Sequence, residues 1–238
     1  MKKLLFLLFL FVTTNSFALV STLQQGTDSY TGCKEVEVYE NQATTNQDAD
    51  LTFEINRYTN LEGRNTLIKF DLTESASGIP ANATISGVTI SAYMTTTGGS
   101  ATKYARRVLR DWAEDQATWT IYSTGNNWAT AGGRNDLDTS STQSASAVTA
   151  GTNAWVAFTN AQLVTDVQNF VDGTWDNYGW WFSAETTATT YAVFNGVRFG
   201  TASLRPKIAI TYTVPEAVAS GDPLFIEGDF VAGDLFVN

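Results

Sequence analysis

In the stretch TLIKFDL, Ile68, Phe70 and Leu72 fall on one side of an extended chain, and Leu67, Lys69 and Asp71 on the other. Alternation with period two is the mark of a strand with core on one face; the mixed second face predicts partial exposure there. Similar short runs, rich in Val, Ile, Thr and aromatics and broken by Gly, Asn and Asp, recur along the chain. They predict strands at Val36–Tyr39, Leu51–Ile55, Thr66–Leu72, Thr84–Met94, Ala105–Leu109, Ala154–Phe158, Gly179–Ala184, Val193–Phe199 and Lys207–Tyr212. Many short strands with turn signals between them predict an all-β fold, a jelly-roll-like antiparallel β-sandwich.

One segment departs from the pattern. In TNAQLVTDVQNFVDG the apolar residues Leu163, Val164, Val167, Phe170 and Val171 recur at helical spacing. Thr159 with Gln162 has the form of a capping box, and Gly173 stands where a left-handed C-terminal cap belongs. The expectation is one short helix packed on an end of the sandwich. Residues 135–151, rich in Ser, Thr and Ala, read as a long loop with one poor strand.

The ends differ from the middle. Residues 1–18 carry Lys2 and Lys3, an apolar run from Leu4 to Val12 and small residues at Ser16 and Ala18. This is the form of a secretory signal, and the run is too short to span a bilayer. An exported protein starting near Leu19 is the expectation, with residues 19–213 as one domain. Residues 214–238 form an acidic tail that repeats Gly-Asp beside Phe225, Phe230 and Phe236.

Charge narrows the function classes. Without Lys2 and Lys3 the 14 basic residues become 12 against 24 acidic ones, a net charge of −12. Nucleic acid needs a basic stripe that releases counterions, so it is not an expected partner. There is no histidine, which removes Ser-His-Asp and Cys-His catalysis and the ordinary zinc sites. No phosphate-binding glycine loop is present. The lone Cys33 has no internal partner for a disulfide and reads as a small buried residue.

The acids leave some chemistry open. Asp111, Glu114, Asp115 and Asp136 are available for a two-carboxylate hydrolase, and a lyase using Tyr with Arg or Lys is a second option. Asp136 and Asp138 in RNDLD offer oxygen ligands for a structural Ca²⁺, as do Asp48 and Asp50 more weakly. Neither pair has the spacing of a known calcium loop.

Several segments occur in a distinctive order: TLQQGTDSYTGCKEVEV, RNTLIKFDL with IPANATISGVTISAY, RVLRDWAEDQATW, NNWATAGG, VQNFVDGTWDNYGWWF and RPKIAITY. Together they resemble the DNRLRE domain, also classed as carbohydrate-binding module family 96, over about residues 22–213. The resemblance implies a secreted, non-catalytic jelly-roll module that binds polysaccharide, including acidic glycans such as alginate. The resemblance places Trp112, Trp119, Trp128, Trp155 and Trp180 at motif positions of the family, which implies framework indoles between two sheets.

Ligand contacts are then expected elsewhere. Trp175, between the helix and a strand, is the foremost aromatic candidate, followed by Tyr122 and Tyr58. For an anionic sugar, Arg57, Arg64, Lys69, Arg106 and Arg107 supply positive charge. Two other functions compete: a structural cell-surface or matrix protein, and a small polysaccharide lyase or hydrolase.

Overall fold

The computed structural model describes residues 17–57, 63–184 and 188–215. Residues 1–16 of the leader, Tyr58, and the tail from residue 216 lie outside the described residues.

The strands, in chain order, are β1 (Leu19–Gln24), β2 (Cys33–Tyr39), β3 (Thr52–Arg57), β4 (Arg64–Phe70), β5 (Thr84–Thr97), β6 (Ala101–Val108), β7 (Ile121–Ser123), β8 (Asn126–Asn127), β9 (Thr139–Thr149), β10 (Ala154–Phe158), β11 (Trp180–Ser183), β12 (Ala188–Asn195) and β13 (Lys207–Thr213). A single helical turn, α1 (Glu74–Ser77), one longer helix, α2 (Ala161–Val171), and two 3-10 turns at Glu40–Gln42 and Ala202–Leu204 accompany them. All but β7 and β8 belong to one hydrogen-bonded path in the order β1-β13-β5-β12-β3-β4-β11-β6-β9, with β10 beside β5 and β2 beside β4. Every pairing is antiparallel.

β3 and β4 share only the pair Asn56–Arg64. The path turns over at this weak seam and closes into two layers. One layer holds β1, β13, β5, β12, β3 and β10; the other holds β2, β4, β11, β6 and β9. Between them Phe53, Ile55, Ile90, Phe194, Ile208 and Ile210 meet Ile68, Phe70, Ala105, Trp180 and Phe182, all buried. The chain is an antiparallel all-β sandwich.

Helix α2 packs on β5 and β9 and buries Leu163, Val167, Phe170 and Val171. Its cap is Asn160, whose side chain accepts from the Gln162 amide, rather than Thr159. Thr159 is instead the last residue to bridge the layers, pairing with Ser146. Gly173 does adopt the left-handed conformation, at φ +75°. Asp166 is buried because its Oδ2 accepts from Trp180 Nε1 at 3.1 Å.

Two expectations are corrected and a third is refined. Residues 139–149 form β9, an eleven-residue strand on β6, where a long loop with one poor strand was expected. Its Ser, Thr and Ala side chains show no hydrophobic alternation, yet Ser144 and Ala145 are fully buried under α2. The predicted strand 193–199 ends at Asn195, because Gly196 turns and delivers the Val197 amide to Glu35 Oε2. Finally, Leu67 is fully buried. Lys69 and Asp71 keep the partial exposure expected of that face, while around Leu67 the outer side of β4 is the floor of a second core.

Candidate functional site

That second core is built by residues 109–138, which fold back over the outside of the β2/β4/β11/β6/β9 layer. Val36, Val38, Leu67, Val108 and Trp181 rise from the strands and meet Trp112, Ala117, Trp119 and Trp128. Trp112 Nε1 donates to the Tyr178 carbonyl at 2.8 Å and Trp128 Nε1 to that of Thr118 at 2.9 Å. Trp128 stands edge-on to Trp181 with centroids 5.7 Å apart. Of the five framework indoles, only Trp180 lies between the layers. Trp155 belongs to neither core and is 37% exposed.

The covering segment is pinned at its far end by Asp138. Its carboxylate accepts from Arg110 Nε at 3.1 Å and from the Ala129 and Thr130 amides at 3.0 and 3.2 Å, and it is fully buried. Gly132 and Gly133 follow in consecutive left-handed conformations, φ +80° and +66°. A β-carbon at Gly132 would stand 2.6 Å from the Trp119 ring, so only glycine permits the chain to lie this close. The turn's product is the position of Arg134.

Arg134 enters a 260 Å³ pocket that Arg57 and Arg106 also line, with Asn135, Asp136, Thr139, Ser140, Trp181, Ser183 and Ala184 around them. Each guanidinium comes from a different part of the fold: the end of β3, the middle of β6, and the glycine turn. Arg106 is the cross-strand partner of Trp181, so both project to the same outer side. It also donates to the carbonyls of Ser140 and Ser141, where β9 bulges away from β6. Arg134 Nη2 donates to Asn65 Oδ1 at 3.0 Å, while its buried Nε has no partner among the described residues.

In this hollow Arg57 and Arg134 oppose each other. Burial first, and then Arg57, pull Arg134 down to about 10, with Glu40 acting against them. The guanidinium remains charged at neutral pH, in a chain whose net charge is −10. An entering carboxylate relieves the repulsion and meets planar forks suited to two-point contact. The volume lies just under the roughly 300–1,000 Å³ usual for small-molecule sites. It suits one sugar ring or one acidic substituent of a chain.

The other candidates are elsewhere. Arg64 is tied to buried Glu37 at 3.0 Å and lies 3.9 Å over the Tyr39 ring, so its charge is committed to the framework. Arg107 points to the opposite side of β6, stacked 3.9 Å over Trp175 near α2. Lys69 borders two larger hollows, of 730 and 440 Å³, with Nζ 5.8 Å from the Tyr178 ring. Tyr122 leans on Trp128 at 5.4 Å as part of the second core. The structure thus gathers Arg57 and Arg106 out of the expected set and adds Arg134; it places Lys69 and Trp175 together on another hollow, with Arg107 stacked on Trp175, and leaves Arg64 and Tyr122 apart.

Of the candidate acids, Asp48 and Glu114 meet at Arg198, away from Asp136 and Asp138. Asp138 is saturated by N–H donors, an environment that repels a cation, and Asp136 sits among the three arginines. Asp48 pairs with Arg198 at 2.6 Å, and Asp50 is exposed. Among the described residues no group of three or more acids, Cys or His meets. Glu114 accepts from the Glu35 amide and from Arg198, in a hollow separate from the one holding Asp136. No helix of the described residues is long and apolar enough to cross a membrane.

Arg134 carried one local signal, the preceding Gly-Gly, which marks a tight turn but not what the turn serves. Neither a protein-family model nor a curated protein sequence matches the chain.

Proposed function

We propose that this chain is a secreted, non-catalytic polysaccharide-binding module of DNRLRE type, and that its ligand is an acidic glycan such as a polyuronate. The observation that carries the proposal is the clustering of Arg57, Arg106 and Arg134 around Trp181 in one hollow of an otherwise acidic protein. The guanidiniums take the carboxylate of a uronic acid, and Thr139, Ser140 and Ser183 offer hydroxyls to the neighbouring ring oxygens. Binding without turnover fits the dispersal of the acids, since only Asp136 borders the pocket.

The test is affinity electrophoresis of the full chain in gels containing alginate or a neutral glucan. Retardation is expected in alginate alone, and it should be reduced in Arg134→Ala and in Arg106→Ala. Equal mobility of wild type and both variants in alginate overturns the proposal. Release of unsaturated or reducing sugar from alginate replaces the binding reading with an enzymatic one.

A further inference from the structure

The sandwich has a second outward face, on the layer away from the arginine pocket. There β10, β5, β13 and β1 lie side by side. Their sequences, AWVAF, TISGVTISAYMTTT, KIAITYT and LVSTLQ, contain no Asp or Glu and a single charged residue, Lys207. In a chain with 24 acids and 14 basic residues, a four-stranded face free of acids is a local reversal of the protein's field.

Trp155 is the large aromatic of this face. It is 37% exposed and its cross-strand neighbour on β5 is Tyr93, which meets it edge-on with centroids 5.5 Å apart. Lys207, on β13, pairs with Ser91, and Ser91 pairs with Ala157 on β10. The lysine side chain therefore spans β5 above small residues, and its Nζ comes to 4.1 Å from the Trp155 ring centroid. A cation fixed against an indole is a favourable arrangement in itself. It also sets a positive charge beside an aromatic surface over a flat floor of Ser91, Ala157 and Ala209. A pyranose carrying a carboxylate matches both parts: its C–H face meets the ring and its charge meets the ammonium.

We infer that the Trp155–Lys207 face is a second contact for acidic polysaccharide, so that one molecule bridges two glycan chains held on opposite sides of the sandwich. This rests on the reading above for the identity of the ligand, but on none of the residues of the arginine pocket. The occupant is argued from charge: a face with one cation and no acid suits an anionic chain.

The test uses the full chain and a short soluble oligouronate in calorimetry, with soluble alginate for bridging, read as turbidity. Wild type is expected to bind two oligosaccharides, and Trp155→Ala and Arg134→Ala one each; wild type alone should turn the polymer turbid. Since Trp155 is largely outside the core, its alanine variant keeps the fold, and Lys207→Gln serves as an independent probe with the same expected loss. The inference is overturned if Trp155→Ala and Lys207→Gln bind and bridge like wild type. It is overturned too if Arg134→Ala alone abolishes all binding. Should Trp155→Ala abolish binding while Arg134→Ala has no effect, the arginine pocket fails as the site, this face stands as a contact, and bridging is excluded. No binding by any form removes both readings.

Discussion

Gly133 lies flat against the indole of Trp181: a β-carbon on it would come within 2.6 Å of Cζ3 and 2.8 Å of Cη2. Trp181 also floors the arginine pocket and Arg134 is the next residue along. Framework and site therefore meet at one glycine. Gly133→Ala must place an L-residue at φ +66°, which costs roughly 1–2 kcal/mol, and push a methyl into a packed ring, about 1–3 kcal/mol more. We expect a loss of about 2–5 kcal/mol in urea unfolding, together with weaker oligouronate binding. A variant with wild-type stability would show that the turn is not packed as described.

Arg134 should govern binding more than any expected cation outside the pocket. Arg134→Ala is expected to weaken oligouronate binding at least about tenfold, in line with about 1.5–3 kcal/mol for a hydrogen bond to a charged group, whereas Arg64→Ala should lower stability instead. The Arg134 charge is lost as pH rises through about 10. Affinity should accordingly be flat between about pH 7 and 9 and fall beyond, whereas Arg134→Ala shows no such fall. Calorimetry across that range is the measurement.

Much of the fold was readable because its two layers obey period two. Ile68 and Phe70, or Ile208 and Ile210, alternate with polar residues, and α2 stands out by its 3.6 spacing. What escaped has a common cause. Leu67 and Trp181 face a segment distant in sequence, and no local pattern says whether an outer strand face meets water or a returning loop. β9 is hidden because buried Ser144 and Ala145 are small, not apolar in any rhythm. Arg134 joins Arg57 and Arg106 only through contacts between segments far apart in the chain. Trp155 misled in the other direction: indoles are usually framework, and here one alternates outward on β10.

Asp138 distinguishes a buried anchor from a metal ligand. Asp138→Ala leaves two backbone amides and the Arg110 guanidinium without their acceptor, and removal of one partner from a buried ion pair costs about 3–5 kcal/mol. The covering segment should loosen, exposing Trp128 and shifting its fluorescence. Calcium and chelator should leave the wild-type melting temperature unchanged; a calcium-dependent rise would restore the metal reading of the acids.

The strand β2 should make stability pH-dependent. Glu35 is buried on it, and desolvation raises its carboxyl from 4.5 to about 8, with only the Val197 amide and, more weakly, Arg198 favouring the charged form. Glu37 rises to about 7 by the same cause against the pull of Arg64. A raised carboxyl pKa means that the folded state holds protons the unfolded chain has released. Its contribution is complete below about pH 4.5 and is lost as pH climbs through about 8, at up to about 1.4 kcal/mol per unit for each group. Buried Lys103, lowered to about 8, acts with the opposite sign but only above that pH, where the unfolded chain holds the extra proton. Melting temperature should thus fall from about pH 5 to pH 8. Glu35→Gln, which keeps an oxygen for the Val197 amide and carries no charge, should flatten much of that slope and raise stability at pH 8. An unchanged slope in this variant would place the titration elsewhere.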